Sequence, residues 1–151
     1  MTTMAWRMAA VGALALALGF AGCATTDQVT LTTSPRLNTC ESGGDAHSVV
    51  VRIYYLKSVD RFMRADFTAL WQDEFAALAD DRISVEERTL NPTQQITVPL
   101  AREGPAKTAT AIGVVANFCR PGEGCWRRTV SIEGDAAKLR VHLDEGCLAI
   151  D

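Results

Sequence analysis

The cysteines are the residues of this chain that point most directly to covalent chemistry, and Cys23 stands apart from the other four. It follows Ala21-Gly22 at the end of an apolar run, residues 8–20, that is itself preceded by Arg7. A positive start, an apolar centre and small residues before a cleavage point are the three parts of a secretory signal. The pattern predicts export, with residues 1–22 removed from the mature protein.

Cys23 in this position also resembles the lipobox of bacterial lipoproteins, although Phe20 stands where that motif usually has Leu. The resemblance implies cleavage before Cys23, with lipid on its sulfur and on the new amino terminus. Alternatives are an ordinary secretory signal with a chance cysteine, and an uncleaved anchor, but a spanning helix needs about 20 apolar residues. Two or more acyl chains anchor a protein firmly. Ala24, where an Asp often means retention in the inner membrane, implies the periplasmic face of the outer membrane.

The other four cysteines predict disulfides, since an even count in an exported protein is typical of them. They are Cys40, Cys119, Cys125 and Cys147. Four cysteines allow three pairings, and the sequence does not decide among them. Cys119 and Cys125 flank a turn-rich segment, residues 120–124, so we expect a hairpin that brings these two together. The other bridge would then join Cys40 to Cys147, across the ends of the domain.

No set of side chains has the spacing of a catalytic site. The two histidines are His47 and His142, and the chain has neither a Gly-x-Ser-x-Gly motif nor a Gly-rich phosphate loop. Glu86 and Glu87 are neighbours on a predicted strand and so point to opposite faces, whereas carboxylate catalysis needs two groups facing across a cleft. A metal site of cysteine with either histidine is the alternative, but Cys-x5-Cys is unlike common zinc spacings. The sequence predicts neither an enzyme nor a cofactor.

The charge balance argues against a nucleic-acid partner. The chain has 15 Lys and Arg against 18 Asp and Glu, a net charge of −3. Removal of Arg7 with the signal leaves 14 against 18, a net charge of −4. A net acidic body has no electrostatic reason to bind nucleic acid. The roughly 130 residues that remain are enough for one domain.

Hydrophobic patterning predicts a sandwich over residues 49–151, joined to Cys23 by a tether. Residues 24–48 are rich in Thr, Ser, Gly and Asn and predict that flexible tether. Residues 49–56 are β-branched and aromatic, as in a buried strand. Apolar residues three to four apart over residues 59–78 predict an amphipathic helix or two short ones. Further strands are expected near residues 83–87, 96–100, 109–118, 125–133 and 138–143. About six mostly antiparallel strands with one helical region indicate a β-sandwich.

Several segments, taken in order, resemble one known family. Besides Cys23 they are residues 51–57, 62–70, 90–92, 112–118 and 126–127. Their order and spacing over most of the mature chain resemble the TssJ family (SciN/VasD), the outer-membrane lipoproteins of bacterial type VI secretion systems. Two positions depart from the family pattern: Thr93 stands where Gly is frequent, and Cys119 where an Arg-like residue is frequent.

This resemblance implies a mostly β, transthyretin-like two-sheet β-sandwich with a helical insertion after the first strand and no enzymatic activity. It implies a structural subunit, held at the outer membrane by lipid, that binds the periplasmic C-terminal region of TssM, the large inner-membrane subunit. In that family the loop after the first strand is linked to this contact. With residues 49–56 as the first strand, the contact falls within residues 57–82. The residues predicted to bind the partner are Lys57, Asp60, Arg61 and Arg64, and the soluble domain is expected to be monomeric alone.

Other functional classes make different predictions. A periplasmic small-ligand-binding module would have an apolar pocket with a few convergent polar groups. An enzyme would need titratable groups that converge in a cleft. An enzyme inhibitor would present a rigid exposed loop, for which residues 120–124 are the candidate. A structural subunit would bind its partner by strand addition at a sheet edge or by loop docking.

Overall fold

A computed structural model describes residues 25–151; the predicted signal peptide and Cys23 lie outside this range. Eight strands in the described residues form two four-stranded sheets, which confirms the two-sheet β-sandwich. The strands are β1 (Thr25–Thr33), β2 (Val49–Leu56), β3 (Arg82–Leu90), β4 (Gln95–Arg102), β5 (Ala111–Ala116), β6 (Arg127–Ser131), β7 (Lys138–Leu143) and β8 (Leu148–Ile150). Short helices are α1 (Asp60–Arg64), α2 (Phe67–Gln72) and α3 (Glu74–Leu78), with 3-10 turns η1 (Ala79–Asp81) and η2 (Gly104–Thr108).

The tether prediction for residues 24–48 is wrong in its first part, because β1 occupies Thr25–Thr33. Asp27, Val29 and Leu31 are fully buried, and the threonines that alternate with them are exposed or half-buried. Alternation of this kind is the pattern of a strand with one face against a core. Threonine is β-branched and favours strands, so its abundance here does not indicate a loop. The sandwich therefore already includes Thr25, and only residues 34–48 form a loop.

Sheet A has the strand order β4-β1-β7-β8, and sheet B has the order β3-β2-β5-β6. The β1–β7 pair is parallel, and the other pairs are antiparallel. The sequence did not predict β1 or the short β8. All six residues of β5 are buried, since one of its faces lies against sheet A and the other lies under the helices. The interior strands are β1 and β7 in sheet A and β2 and β5 in sheet B.

The helical insertion follows β2, which is the second strand of the domain. It consists of three short helices whose buried side chains are Phe62, Leu70 and Leu78. The side-chain oxygens of Asp66 and Asp73 accept from backbone N–H groups at the starts of α2 and α3, at 2.7 and 3.2 Å. N-caps of this kind restart a helix after each break. The helices lie on the outer face of sheet B.

Gly113 on β5 is what allows α1 to pack so closely on the sheet. A Cβ atom at this position would lie 2.9 Å from the ring of Phe62 and 2.9 Å from the side chain of Leu56. These two side chains are fully buried and have no room to move away. Glycine is therefore required here by the close approach of the helix.

Strand direction gives the sandwich two distinct ends. At one end, which we call the β1-start end, Thr25 lies opposite Arg102 and Leu56 lies opposite Ala111. Turn 132–137 and η2 belong to the same end. At the other, the disulfide end, four connections lie together: residues 34–48, 91–94, 117–126 and 144–147. A nine-residue strand such as β1 separates the two ends by about 30 Å.

Candidate partner-binding surfaces

Two disulfides tie the loops of the disulfide end together, but the predicted pairing is wrong. The bridges are Cys40–Cys119 and Cys125–Cys147, with Cα–Cα distances of 5.0 and 4.8 Å. Each bridge joins two different loops, and both bridges start from the β5–β6 connection. Its first part faces loop 34–48, and its last part faces the β7–β8 turn. The sequence lacked a signal for this arrangement, since it depends on β1 and β8.

Asn38 provides the second link between loop 34–48 and the β5–β6 connection. It is buried, with a φ of 50°, and its side-chain NH₂ donates to the carbonyl of Ser48 at 2.7 Å. Its side-chain oxygen accepts from the backbone N–H of Cys119 at 2.7 Å. Asn tolerates the left-handed region better than most residues. The loop is therefore held at its base by a covalent bridge and by a buried amide.

The outer part of the disulfide end is exposed and polar. Residues 41–45, which include Glu41 and Asp45, are all exposed. Arg36 and Glu145 form an ion pair at 2.5 Å across two of the loops. A cleft of about 410 Å³ between the loops is lined by Thr39, Ser42, Arg120, Pro121, Gly122, Glu145, Gly146 and Cys147. The arrangement can present a preorganised surface of mixed charge to another macromolecule.

The four residues predicted to bind a partner are all exposed, and they lie on or just before α1. Lys57 and Asp60 lie near the β1-start end. Arg61 pairs with Asp81 at 3.7 Å, and Arg61 and Arg64 line a shallow depression of about 320 Å³ between the helices. The structure therefore brings Arg61 and Arg64 together on one surface.

The prediction of those four residues assumes that residues 49–56 form the first strand, whereas the structure has β1 before them. The resemblance links the partner contact to the loop after the first strand. Because β1 precedes β2, that loop is residues 34–48 and not residues 57–82. Sequence reasoning missed loop 34–48 as a candidate; the alternation of Val29 and Leu31 with threonine was the signal that could have identified it.

The polar residues beneath the helices have structural contacts. Arg52 donates to Glu87 at 2.8 Å and stacks 4.3 Å over the ring of Trp71. The hydroxyl of Tyr54 donates to Glu74 at 2.6 Å. Burial, followed by the adjacent Glu74 carboxylate, raises the pKa of the Tyr54 hydroxyl above its usual range. These groups fix the insertion to sheet B.

Two edge strands, β4 of sheet A and β3 of sheet B, carry features that oppose strand addition. Pro99 lies on the edge strand β4 and has no N–H to donate. On edge strand β3, Glu86 and Arg88 lie opposite the inward-facing Ile53 and Val51, and pair with each other at 3.0 Å. Proline and inward-pointing charges are devices by which natural sheets block edge pairing. At these two edge strands the structure therefore favours loop docking over strand addition.

The β1-start end is stabilised by a buried carboxylate. Asp27 has no exposed surface and accepts four hydrogen bonds. Its Oδ2 accepts from the Tyr55 hydroxyl at 2.5 Å and from Arg102 Nε at 3.0 Å. Its Oδ1 accepts from Arg102 Nη2 at 2.5 Å and from the backbone N–H of Ala137 at 2.7 Å. One residue of β1 is thus linked to β2, β4 and the β6–β7 turn.

The same contacts determine how Asp27 ionises. Burial by itself would raise the pKa of this carboxyl. Hydrogen bonds from Arg102, Tyr55 and Ala137 favour the charged form and outweigh burial, so the pKa lies below its usual value. Asp27 is therefore ionised at neutral pH and acts as a structural anion.

Within residues 25–151, no group of three or more His, Cys, Asp and Glu side chains is placed to hold a metal ion. His47 lies on the loop of the disulfide end, and His142 is on the exposed face of β7. All four described cysteines are used in disulfides. None of the helices described is both long and apolar enough to cross a membrane.

A family model matches residues 25–146, which is most of the chain; it is described as type VI secretion lipoprotein, with the member names VasD, EvfM and TssJ. The chain belongs to the type VI secretion lipoprotein family. No curated protein matches the chain.

Solved structures agree on the fold. The type VI lipoprotein TssJ1 from Pseudomonas aeruginosa is 24% identical, with a TM-score of 0.76 over 85% of this chain and 95% of that chain. A chain of a structure described as "Type VI membrane complex" is 27% identical, with a TM-score of 0.73, covering 84% and 98%. A chain of a structure described as "T6SS protein TssM C-terminal domain (869-1107) from EAEC" is 26% identical, with a TM-score of 0.71, covering 84% and 98%.

Proposed function

We propose that this protein is a structural subunit of a type VI secretion membrane complex. In the proposal, lipid on Cys23 anchors it in the outer membrane, on the periplasmic face, and it binds the periplasmic C-terminal region of TssM. It is not proposed to be an enzyme. The observation that carries the proposal is the family match over residues 25–146, with the similarity to a chain of a type VI membrane complex as support.

The similarity to a chain in the TssM structure supports the choice of partner. A domain numbered 869–1107 has about 240 residues. The match covers 84% of this chain and 98% of the matched chain, so the matched chain has only about 130 residues. The matched chain is therefore too short to be that whole domain. A structure that holds both would contain a relative of this protein together with TssM.

The position of the anchor relative to β1 supports a choice of docking surface. Cys23 is two residues before Thr25, the first residue of β1, and two residues span at most about 7 Å. A lipid on Cys23 would therefore hold the β1-start end close to the headgroups. The disulfide end, about 30 Å away along β1, would face the periplasm. A partner arriving from the inner membrane would meet that end first.

We therefore propose that loop 34–48 and the loops joined to it by disulfides form the main contact with TssM. This placement agrees with the family's link between the partner and the loop after the first strand, now counted from β1. The exposed residues Lys57, Asp60, Arg61 and Arg64 form a second contact in the proposal, on the side of the sandwich and nearer the membrane than the main contact. Anchoring both partners in an assembly of many copies makes a modest pairwise affinity sufficient.

Calorimetry tests this proposal, with the oxidised soluble domain, residues 24–151, titrated against the periplasmic region of its own TssM. We expect micromolar or tighter binding. Glu41→Lys/Asp45→Lys, at the disulfide end, should weaken binding about tenfold or more, because reversing two charges within a contact disrupts its electrostatic complementarity. Arg61→Glu/Arg64→Glu, on the insertion, should weaken it less.

Three outcomes separate the parts of the proposal. No binding by a folded, oxidised domain would remove TssM as the partner. A larger loss for the insertion variant than for the loop variant would move the main contact to the helices. For the anchor, Cys23→Ser should abolish labelling by radioactive palmitate and release the protein from the outer-membrane fraction; unchanged fractionation would reject lipid anchoring at this residue.

A further inference from the structure

The outer face of sheet A is uncovered over the described residues, whereas the helices lie on the outer face of sheet B. Side chains on this face alternate with the buried ones along β1, β4 and β7. The outward residues of β1, β4 and β7 lie side by side across the sheet; Thr30, for example, lies opposite both Thr97 and Arg140. This face is not part of the disulfide end or of the helical insertion.

The uncovered face combines hydroxyl and amide groups with a column of basic side chains. The neutral polar residues at its outward positions are Thr26, Gln28, Thr30, Thr32, Gln95 and Thr97. The basic column, on β7, consists of Lys138, Arg140 and His142, which are all exposed. Successive members of the column are about 6.6 Å apart along the strand.

The charged side chains on this face are basic, apart from that of Asp151. None of the outward positions of β1, β4 and β7 carries a carboxylate. In the described part of the chain, neither Lys138 nor Arg140 forms an ion pair, although both are exposed. Asp151 is the acidic group that reaches the face, and it lines an open depression of about 480 Å³ together with Thr30, Thr32, Gln95, Thr97, Arg140, Val141 and His142. The positive charges of Lys138 and Arg140 are complementary to an anionic ligand.

We propose that this face binds an anionic polysaccharide. The basic column would pair with carboxylates of the polymer, and the threonine and glutamine side chains would form hydrogen bonds with its hydroxyl groups. Protein interfaces depend on aromatic, Met or Arg anchors in desolvated pockets. The outward positions contain no aromatic residue or Met, and their one arginine, Arg140, is exposed and not enclosed in a pocket. A hydrated, polyhydroxylated ligand therefore fits this face better than an acidic protein segment. The proposal does not depend on binding to TssM.

Binding is tested with the full-length lipoprotein, purified in a neutral detergent, against three immobilised polymers. Polygalacturonate is the anionic polysaccharide, dextran is its neutral counterpart, and poly-L-glutamate is the acidic polypeptide of similar charge density. We expect binding to polygalacturonate that weakens with added salt, and much weaker binding to the other two polymers. Exposed charges are screened by salt, so the salt dependence reports on the ionic part of the contact.

Two variants and a matched control identify the face. Lys138→Gln/Arg140→Gln should weaken binding to polygalacturonate about tenfold, the effect of losing two exposed ionic contacts. The control, Arg88→Gln/Lys107→Gln, removes two positive charges elsewhere and should change the affinity less than about twofold. Thr30→Val/Thr97→Val keeps side-chain shape while removing hydroxyls, and should weaken binding to polygalacturonate but not residual binding to poly-L-glutamate.

Each contrary result overturns the proposal. Failure of the wild-type protein to bind polygalacturonate rejects the ligand class. Equal affinity for poly-L-glutamate would mean that the face takes acidic polypeptides, and equal affinity for dextran would remove the role of the basic column. An equal loss in the control variant would show that net charge, and not this face, is responsible.

Discussion

Replacing Asp27 by Asn tests whether the buried carboxylate holds β1 in the sandwich. Asn has nearly the same shape, but one of its two terminal atoms is an NH₂ group that donates hydrogen bonds. Arg102 donates to both oxygens of Asp27, so either orientation of the amide places this NH₂ group against an N–H of Arg102. The other groups that bind Asp27, Tyr55 and the N–H of Ala137, cannot relieve that conflict.

The expected loss follows from burial. The side chain of Asp27 has no exposed surface, and that of Arg102 is 10% exposed, so water cannot replace the lost contacts. Removing one member of a buried ion pair typically costs 3–5 kcal/mol, and a hydrogen bond to a charged group contributes about 1.5–3 kcal/mol. Because Asn keeps one accepting oxygen, we expect a loss of about 3 kcal/mol in the free energy of unfolding. For a domain of this size that lowers Tm by roughly 10 °C.

The effect of Asp27→Asn should depend on pH in one direction. The folded pKa of Asp27 is lowered, so its ionisation stabilises the fold above the unfolded pKa, about 3.9, and this contribution is lost as the pH falls through the folded pKa. The stability difference between wild type and variant is therefore largest at pH 7. It should shrink below about pH 4, where the carboxyl becomes protonated in the unfolded chain while it is still ionised in the folded protein.

Urea denaturation of the oxidised domain, followed by circular dichroism at pH 7 and at about pH 2.5, measures both effects. Glu145→Gln serves as the control, since it removes a carboxylate from an ion pair whose side chains are 64% and 45% exposed. It should cost no more than about 0.5 kcal/mol. A loss below about 1 kcal/mol for Asp27→Asn at pH 7, or a difference that does not change with pH, would refute the role assigned to Asp27.

Three further predictions concern single features of the fold. Gly113→Ala should lower stability by about 1–3 kcal/mol in a thermal melt, because its Cβ would clash with the Phe62 ring; an unchanged Tm would contradict the close packing of α1. Thr93→Gly should raise stability by roughly 0.5 kcal/mol, since Thr93 is β-branched and has a φ of 59°; a lower urea midpoint would argue against strain at this turn. Cys40→Ser/Cys119→Ser should lower stability by about 4 kcal/mol on loop-closure grounds, as measured by urea denaturation. Peptide mapping of the wild-type protein should find Cys125 linked to Cys147; a Cys125-containing peptide linked to Cys119 or Cys40 would show that the pairing is different.

Much of the fold could be predicted because local patterns report directly on burial. Residues 49–56 read as a buried strand, and β2 occupies Val49–Leu56. Apolar residues three to four apart over residues 59–78 predicted helical residues, although three short helices replace the one or two expected. Asp66 and Asp73 explain the difference, since each caps the N-terminus of a new helix. Burial patterns and helix caps involve residues that are close together along the chain, and the sequence alone therefore shows them.

The candidate site was harder to predict, because it depends on which strand comes first. The threonine-rich composition of residues 25–33, almost directly after Cys23, predicts a tether, whereas the structure has β1 there. That error moved the expected partner contact from loop 34–48 to residues 57–82. The alternation of Val29 and Leu31 was present in the sequence, but only pairing with β4 and β7 shows that these residues have a core to face.

The sequence by itself determined the predicted export signal, the sandwich class, the helical insertion and the family, since all of these follow from local composition, periodicity and ordered motifs. Only the tertiary structure decided the disulfide pairing, the buried Asp27–Arg102 pair and the position of the loops at one end. Asp27 and Arg102 are 75 residues apart, and Cys40 and Cys119 are 79 apart. Contacts at such separations depend on how the strands are ordered in the two sheets, and strand order is set by the packing of the whole domain.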